Sequence, residues 1–464
     1  MDDGATSVGE QGPGRVQGED RREVWGWAFY DWAISAFSTT VVTVLLGPYL
    51  TGLARAVVGA RGTVLDLGPL GRVTAESFYP LCVSASVGLQ VLLLPALGAL
   101  ADFSQDKKRP LLILTTLGAA ATCGLALIGE RTYLLGGLLF ILANLAAGAC
   151  GVLYNAFLPG ICAPARRDSI SSRGFALGYL GGGLLLAGNL ALVSALPFGL
   201  TTSGAVRLSF LSAGLWWGGF GLVAIGRLRA RVAVRALPSG RNPVVVAIQE
   251  LGGAFRRLRR LPGTLRFLAG YVLANDGIQT VVTLSSVFLT QELFVARGRS
   301  EDDAQPFIIG VVLLVQFVAF GGALLFGRLA GMIGAKRAIL LSLAMWVGVV
   351  VYAYGFLATT TQAWAMAVVI ALALGGSQAL ARSLFSRLIP SGGEATLFGV
   401  YELSQRATAW LGPLIFGVVV GTTGSYRQAI LSLIVLFASG IVVLALTDVG
   451  RAERAAAAVS AGSA

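Results

Sequence analysis

Twelve long runs of apolar residues constrain this chain more than any other feature of its sequence. Each run is about 20 residues or longer, the length that an α-helix needs to cross the roughly 30 Å hydrocarbon core of a bilayer. Backbone polar groups inside a bilayer must be paired within the chain, so the runs predict membrane-spanning helices. The predicted spans are 25–50, 80–101, 110–129, 133–158, 174–196, 207–227, 265–293, 307–330, 338–358, 363–386, 398–420 and 426–447.

The composition agrees with this interpretation. Hydrophobic residues make up 55% of the 464-residue chain and charged residues only 12%, against about 25% charged residues in an ordinary soluble protein. Too few polar residues remain to cover the surfaces of two or three soluble domains. The sequence therefore predicts an all-α integral membrane protein with twelve transmembrane helices.

The positions of the basic residues predict how the helices are oriented. With the N-terminus in the cytoplasm, 25 of the 35 Lys and Arg residues fall on the cytoplasmic side, in agreement with the positive-inside rule. Both termini are then cytoplasmic, and we expect the protein in the cell (plasma) membrane. The net charge of +12 does not indicate nucleic-acid binding, because the basic residues form no stripe on a soluble domain.

The predicted spans divide into two groups of six. This division gives an N-terminal cytoplasmic tail (1–24), an N-terminal six-helix half (25–227), a cytoplasmic connection (228–264), a C-terminal six-helix half (265–447) and a C-terminal cytoplasmic tail (448–464). The first tail has no short apolar core and no cleavage site, so we do not expect it to be a cleaved signal peptide.

An amphipathic helix is predicted within the central connection. Asn242 has the side chain of an N-cap residue, and Pro243 suits the first helical position. Such a helix lies on the membrane surface, where anionic lipid of the inner leaflet attracts it, although a plain linker helix fits the same pattern. Its apolar face consists of Val244, Ile248, Leu251, Phe255 and Leu258, and its basic cluster of Arg256, Arg257, Arg259 and Arg260.

The two halves carry related sequences. The loop after predicted span 2 reads GALADFSQDKKR, and the loop after predicted span 8 reads GRLAGMIGAKR. Predicted spans 1 and 7 each contain an aspartate followed four residues later by a hydroxyl residue, Asp31 with Ser35 and Asp276 with Thr280. Related halves are typical of secondary transporters whose substrate site lies between the halves. Chance similarity between apolar helices is the alternative, and the matching loops argue against it.

The first of these loops resembles the signature 2–3 loop of the major facilitator superfamily through Gly98, Leu100, Ala101, Asp102 and the basic cluster 107–109. Six further segments resemble the vacuolar effluxer-like branch, which contains the fungal autophagy-related amino-acid effluxer and bacterial relatives. The resemblance extends over residues 25–447 and implies the major facilitator fold and efflux of amino acids or related metabolites. The segments are YDWAISAF, YNAFLP, SSRGFALGYLGGG, ANDGIQT, GGSQALARSLFSRLIP and LFGVYELSQRATAWLGP.

Two carboxylates inside predicted spans are the first candidates for chemistry. A charge near the bilayer centre costs at least about 2.5–3.5 kcal/mol on insertion scales, so a retained charge is expected to face a cavity or a partner. Asp276 lies near the midplane and either binds a substrate amine or a proton, or pairs with another helix. Asn-Asp-Gly at 275–277 is a poor helix sequence and predicts a local break. Asp31 lies shallower and is either a substrate or proton site, or a gate bond or helix cap.

Further polar residues extend the candidate binding site and define a candidate gate. Glu402 and Arg406 are four residues apart with the acid first, the favourable order for an ion pair on one helix face. The candidate substrate- or proton-binding residues are Asp31, Asp276, Asn275, Gln279, Tyr154, Asn155, Gln378 and Tyr401. The candidate gate residues are Asp102, Lys107, Lys108, Arg109, Arg382, Glu402 and Arg406.

These features favour a secondary active transporter that moves a small-molecule solute by alternating access, with protons as the candidate coupling ion. A proton-coupled drug exporter is an alternative, although 133–158 contains no arginine and 174–196 no proline, which such exporters usually carry. A non-transporting membrane sensor or a lipid-handling protein is an alternative of another class. The chain has no histidine, no nucleotide-binding loop and no metal-ligand spacing. We therefore predict no enzyme activity, no cofactor and no metal site, and proton coupling that depends on carboxylates.

Overall fold

Long apolar helices form almost the whole of the computed structural model, which describes residues 20–59, 62–66, 68, 72–103, 106–230 and 243–462. Within these residues twelve helices are long and apolar enough to cross a membrane, so the predicted number of spans is confirmed. Spans 1 to 12 are Arg21–Val58, Ala75–Phe103, Lys108–Leu127, Glu130–Ile161, Pro164–Ala195, Thr202–Arg227, Pro262–Arg297, Gln305–Ile333, Ala335–Gly355, Thr360–Arg387, Glu394–Thr423 and Tyr426–Ala445.

Most spans are single α-helices, and several carry one short 3-10 turn at an end. The turns within spans are Leu125–Leu127, Glu130–Thr132, Pro164–Arg166 and Val295–Arg297, and those in loops are Pro197–Gly199 and Asp302–Ala304. Side-chain caps fix several helix starts. Thr359 and Gln362, for example, form a reciprocal capping box at the start of span 10, which satisfies backbone N–H groups that the helix itself cannot pair.

Span 1 contains a wide helical segment that the sequence analysis did not predict. It consists of helix Arg21–Ala36, a π-helix Phe37–Leu45 and helix Leu46–Val58. The π-helix contains a run of β-branched Thr and Val side chains, which crowd the preceding turn of an α-helix. Thr43 Oγ1 also donates to the carbonyl of Ser38, five residues earlier, at 2.8 Å, so its hydroxyl satisfies a carbonyl in the widened turn.

Span 11 is broken into helix Glu394–Thr408 and helix Leu411–Thr423. Pro413 lies in the first turn of the second helix, where its missing N–H group is tolerated, but its ring cannot extend the first helix. Span 12 likewise consists of Tyr426–Ser432 and Ile434–Ala445.

The helix break predicted at 275–277 is wrong. Span 7 runs as one uninterrupted α-helix over Pro262–Leu293. Inside a bilayer an unpaired backbone group costs several kcal/mol, whereas the weak helix propensity of these residues costs about 1 kcal/mol or less each. The pairing requirement therefore dominates, and the helix continues through the polar residues.

Two short strands depart from the all-helical prediction. Strands Thr63–Asp66 and Arg72–Thr74 pair antiparallel in the loop between spans 1 and 2, with Leu65 opposite Val73. The hairpin lies at the end of the bundle opposite the chain termini, outside the spans. It leaves the helical fold class unchanged.

The helix of the central connection extends over Pro243–Arg259 and so begins at the predicted proline. Asn242 and the side chains of Val244, Ile248 and Leu251 lie outside the described residues. Val246, Ala254 and Leu258 are buried, but Phe255 is 45% exposed, so Phe255 does not belong to the buried face as predicted. The helix packs against spans 2, 7 and 11. The face that these contacts bury is centred on Ala254 and Leu258.

A further helix, Val449–Ser460, occupies the region predicted only as a C-terminal tail. Asp448 caps its start by accepting a hydrogen bond from the backbone N–H of Arg451. The alanine-rich sequence that follows has a high helix propensity, a signal that could have predicted this element. Ala452 packs closely against Gly263 at the start of span 7.

Glycines allow span 5 to approach span 1 very closely. A methyl group at Gly178 would lie 2.8 Å from Ser35 Oγ, and one at Gly182 would lie 2.9 Å from Thr39 Oγ1. Small residues at such positions let membrane helices pack backbone to backbone. This packing holds span 1 at the wall of the space between the two halves.

The two halves close against each other mainly through spans 2 and 11 and through spans 5, 8 and 10. Each half is also tied internally by one lysine of the related loops. Lys108 Nζ donates to the carbonyl of Leu228, just beyond span 6, at 3.0 Å. Lys336 Nζ donates to the carbonyls of Ala445 and Thr447, at the end of span 12, at 2.7 and 2.8 Å. Equivalent bonds in both halves agree with the internal repeat.

Replacement of Gly214 by alanine is expected to destabilise the N-terminal half. A methyl group there would lie 2.7 Å from the backbone nitrogen of Cys123 in span 3, and overpacking of this kind costs about 1–3 kcal/mol. The unfolding temperature in detergent should fall by several degrees. Gly219→Ala on the same helix has no neighbour within 4 Å and serves as the control. Equal unfolding temperatures for the two variants would contradict the packing described here.

Candidate functional site

A cavity of about 220 Å³ lies between the two halves. Its walls come from spans 1, 4 and 5 of the first half and from spans 7, 10 and 11 of the second. The structure therefore brings together these predicted residues: Asp31, Tyr154, Asn155, Gln378, Arg382, Tyr401 and Glu402. Ile34, which occupies a position where the family resemblance implies a polar residue, also lines the cavity. Sequence reasoning did not single out the other lining residues, which are Tyr30, Gly151, Phe175, Tyr271 and Gln405.

Arg382 of span 10 is the centre of the polar network beside this cavity. Its Nη2 donates to Asp31 Oδ2 at 3.0 Å and to the carbonyl of Ser171 at 2.9 Å. Nε donates to Ser171 Oγ at 2.9 Å, and Nη1 donates to Asn155 Oδ1 at 3.4 Å. All these acceptors belong to the first half, so one buried side chain of the second half joins spans 1, 4 and 5.

Aromatic rings surround the guanidinium. Its central carbon lies 4.1 Å from the ring centroid of Phe175, 4.8 Å from that of Trp27 and 5.4 Å from that of Tyr154. The rings of Trp27 and Tyr154 stack with centroids 4.5 Å apart. Each cation–π contact is worth about 0.5–2 kcal/mol when water is excluded. The rings therefore help to hold a positive charge inside the bundle.

Asp31 completes this network from span 1. Its Oδ2 accepts hydrogen bonds from Arg382 and from Tyr154 Oη, the latter at 2.9 Å, and its side chain is 15% exposed. A methyl group at Gly174 would lie 2.6 Å from Asp31 Oδ2 and 3.0 Å from Arg382 Nη2. Only glycine leaves room for the pair at this point. Asp31 thus bonds the other half and also borders the cavity.

The second half supplies the opposite wall of the cavity. Glu402 and Arg406 form the predicted pair on one helix face, with Oε2 and Nη2 3.6 Å apart. Gln378 Oε1 accepts a hydrogen bond from Tyr179 Oη of span 5 at 3.0 Å, which adds a further bond between the halves. Tyr401 lies on the same wall. Glu402 has a weaker partner than Asp31 and so is better placed to meet a solute.

Asp276 does not line the cavity. It is 2% exposed, and its Oδ2 accepts a hydrogen bond at 2.9 Å from the backbone N–H of Gly412, the second residue of the later helix of span 11. Its Oδ1 is buried without a hydrogen-bond partner. Asp276 therefore caps a helix start, because the N–H groups of a first turn have no partner within their own helix.

Asn275 and Gln279 lie on the same helix outside the cavity wall. Asn275 Nδ2 donates to Gln405 Oε1 at 3.3 Å, and Gln405 borders the cavity. Asn275 therefore supports a lining residue from behind. Gln279 is partly buried, and the structure places it in no part of the network described above.

Asp102 joins the first half to the start of span 11. Its oxygens accept hydrogen bonds from the backbone N–H groups of Ala395 and Thr396 at 3.1 and 2.8 Å, and from Thr396 Oγ1 at 2.8 Å. Lys107 Nζ lies 2.8 Å from Asp102 and 3.4 Å from Glu394. Burial lowers the pKa of Lys107, but the two carboxylates raise it further, so its net pKa lies above the usual value. The ammonium is therefore charged at neutral pH.

The other two basic residues of the loop do not join the halves. Lys108 donates to carbonyls at the end of span 6, within its own half. The Arg109 side chain is 84% exposed and lies 3.8 Å from Asp106. Of the basic residues in this loop, Lys107 lies next to span 11, and a gate role for Lys108 and Arg109 stays a prediction.

Asp168 forms a second cluster between the halves that sequence reasoning missed. Its carboxylate accepts hydrogen bonds from Ser383 Oγ at 2.6 Å and from Arg387 Nη1 at 3.2 Å, both in span 10. Arg167 Nη1 donates to the carbonyl of Ser386 at 2.7 Å. The segment GGSQALARSLFSRLIP contains Ser383, Ser386 and Arg387, so a signal existed, but nothing in it identified Asp168 as the partner.

Within the described residues, the hydrogen bonds between the halves lie at the cavity wall or between the cavity and the end that carries both termini. They involve Asp31, Asp102, Lys107, Asn155, Arg167, Asp168, Ser171 and Tyr179 of the first half. This end of the bundle is closed. The arrangement can hold a small polar solute between the halves and separate it from one side of the membrane.

A twelve-helix bundle of two related halves with a polar cavity between them defines a membrane transporter of the major facilitator superfamily. The human organic anion transporter TETRAN matches with a TM-score of 0.67 at 15% identity, over 92% of this chain and 100% of its own. The proton:xylose symporter XylE matches with a TM-score of 0.64 at 14% identity, over 91% and 94%. FucP in the outward conformation matches with a TM-score of 0.64 at 13% identity, over 92% and 98%. These likenesses show the fold.

The chain belongs to the family described as vacuole effluxer Atg22 like, which matches residues 19–457. An uncharacterized MFS-type transporter of Bacillus subtilis, YxiO, is 30% identical over 90% of this chain and 93% of its own length. Autophagy-related protein 22-1 of Penicillium rubens is 24% identical over 95% and 92%. The predicted family is confirmed, and the protein is a transporter, not an enzyme.

Arg382→Gln is expected to destabilise the protein strongly, because it leaves Asp31 buried without its cation. Breaking a buried pair costs about 3–5 kcal/mol, whereas removing both charges is far less costly. The unfolding temperature of the double variant Asp31→Asn/Arg382→Gln should therefore recover most of the loss. Additive destabilisation in the double variant would show that the two groups do not act as a pair.

Proposed function

We propose that the protein exports amino acids or closely related small polar metabolites, coupled to protons, by alternating access of the central cavity to the two sides of the membrane. The observation that carries this proposal is the Arg382–Asp31 pair. It joins the halves at the cavity wall, where a solute can compete for either partner. The effluxer description of the family supports the direction of transport.

The charges around the cavity suit a zwitterion. Arg382 offers a guanidinium, which binds carboxylates in a forked geometry, and Glu402 offers a carboxylate for an ammonium group. A substrate carboxylate that reaches Arg382 competes directly with Asp31. Solute binding and the bond between the halves therefore exclude each other. During export, re-formation of the Arg382–Asp31 bond closes the cytoplasmic end and favours release of the solute to the other side.

The size of the cavity favours a small solute over a drug. Sites for drug-sized ligands are typically about 300–1,000 Å³, and this cavity has about 220 Å³. Its lining includes four tyrosines and two glutamines, which provide hydrogen-bonding groups for a polar molecule. This argument ranks amino-acid export above drug export.

We place both termini in the cytoplasm and the protein in the plasma membrane, on the distribution of basic residues. The closed end of the bundle then faces the cytoplasm, and we propose that the central cavity is shut off from that side in this state. Opening of the cavity to the cytoplasm requires the bonds of Asp102 to span 11 and of Asp168 to span 10 to break. Both clusters lie where a rocking motion would separate the halves.

Glu402→Gln should weaken transport of amino acids about tenfold or more, because a hydrogen bond to a charged group is worth roughly 1.5–3 kcal/mol. The measurement is counterflow of labelled amino acids in proteoliposomes. The corresponding 2-hydroxy acids lack the amine, so their transport relative to wild type should fall much less. Glu130→Gln changes an exposed glutamate and is the matched control. An equal loss for both substrates would argue against an ammonium contact at Glu402.

We further propose Asp276 as the coupling carboxyl of the second half. Its charge has no cationic partner in the described structure, and its Oδ1 accepts no hydrogen bond. A proton on Oδ1 would remove this buried charge and weaken the charge-assisted bond from Gly412 N–H. Proton binding would thereby change how firmly the later helix of span 11 is held.

Asp276→Asn should retain counterflow and lose accumulation driven by a pH gradient, since exchange requires no net proton movement. Both assays use the same proteoliposomes with labelled amino acids. Asp66→Asn in the exposed hairpin removes an equal charge and should retain both activities. Gradient-driven accumulation in Asp276→Asn at the wild-type level would exclude this carboxyl as the coupling site.

A further inference from the structure

A second cavity, of about 560 Å³, opens on the side of the bundle between spans 1, 5 and 8. We call it the arginine cleft, and its three basic residues are Arg21, Arg166 and Arg173. It lies near the closed end of the molecule and is separate from the central cavity, with which it shares no lining residue.

The cleft concentrates positive charge. All three arginines are exposed, and the described residues that line the cleft include no acidic side chain. The comparable cavity beside spans 9 and 12 contains Asp448 together with its lysine and arginine, and that lysine already donates to backbone carbonyls. Among the described lining residues, the arginine cleft therefore differs in containing three arginines and no aspartate or glutamate.

The remaining walls of the cleft are apolar. Leu177 of span 5 and Phe320 and Leu324 of span 8 form them, together with two alanines and a valine. Trp25 lies at the edge and is 58% exposed, as expected of a tryptophan at the boundary between hydrocarbon and headgroups. The basic groups can contact the phosphate of a phospholipid headgroup, and the apolar side chains beside them can contact its acyl chain.

We propose that the arginine cleft binds an anionic phospholipid, with the phosphate between Arg21 and Arg173 and an acyl chain along Leu177, Phe320 and Leu324. Basic pockets between membrane helices are suited to anionic headgroups, and an arginine fork matches phosphate oxygens. The charge complementarity and the position of the cleft on the lipid-facing side both select this occupant. The site is distinct from the basic helix of the central connection.

The lipid would bridge the two halves, because spans 1 and 5 belong to the first and span 8 to the second. Span 8 lies close to span 5 in this state, with a methyl group at Gly327 placed 2.6 Å from Ser172 Cβ. A ligand that binds one conformation better shifts the population toward it. Anionic lipid in the cleft therefore stabilises the conformation in which this end of the bundle is closed.

The test compares unfolding temperatures in detergent supplemented with phosphatidylglycerol or with phosphatidylcholine. Phosphatidylglycerol should raise the wild-type value by several degrees more than phosphatidylcholine. Arg21→Gln/Arg173→Gln should lose at least half of that difference. Arg109→Gln/Arg259→Gln removes the same charge from exposed positions, one of them on the connection helix, and should keep it. Similar values for both variants in phosphatidylcholine establish that both are folded.

Several outcomes would overturn the proposal. If the control variant loses the stabilisation by phosphatidylglycerol as fully as the cleft variant, the stabilisation depends on total charge or on the connection helix. If the cleft variant keeps the effect, the arginines do not bind the headgroup. Inorganic phosphate added with phosphatidylcholine should not reproduce the stabilisation. If it does, the cleft binds a free anion and no acyl chain is needed.

Discussion

The buried ion pair between Arg382 and Asp31 determines how the two halves of this transporter can fit together. A guanidinium inside the bundle is tolerated only when its donors and its charge are satisfied, and here every acceptor belongs to the other half. Separation of the halves would leave Arg382 without these partners. The closed arrangement is thus stable until water or a solute replaces these hydrogen-bond partners of Arg382. Binding of a solute in the cavity is therefore linked to movement of one half against the other.

The rest of the molecule supports this pair by keeping each half rigid. Lys108 and Lys336 occupy corresponding places in the two related loops, and each bonds carbonyls at the end of the sixth helix of its own half. The acid of the first loop has no counterpart in the second, where Gly331 stands in its place. Asp102 and Lys107 of the first loop bond the start of span 11 in the other half. Among the described residues, the first loop therefore joins the two halves, whereas Lys336 of the second loop bonds only its own half.

The sequence predicted the features that depend on neighbouring residues, such as the membrane spans. It missed features that depend on contacts between residues far apart in the chain. Twelve spans could be recognised because every span must be apolar and internally paired along its own length. Arg382 and Asp31 lie 351 residues apart, and no spacing rule connects them, although both were recognised as buried charges. Asp168 was missed because it lies at the end of a span, where carboxylates commonly face water. Its role becomes visible only when its partners in span 10 are known. Weak helix propensity wrongly suggested a break at 275–277, because the need to pair backbone groups inside the bilayer outweighs it.

The broken span 11 has a consequence for how the halves move. Asp102 of the first half caps its earlier helix, and Asp276 of its own half caps its later helix. Each piece is therefore fastened at its start to a different half, with the two residues 409–410 between them. A rotation of one half against the other would therefore move the two capped helix starts relative to each other, and the joint at 409–410 is where span 11 can bend. The angle between the two pieces of span 11 would accordingly report how far the transporter has travelled through its cycle.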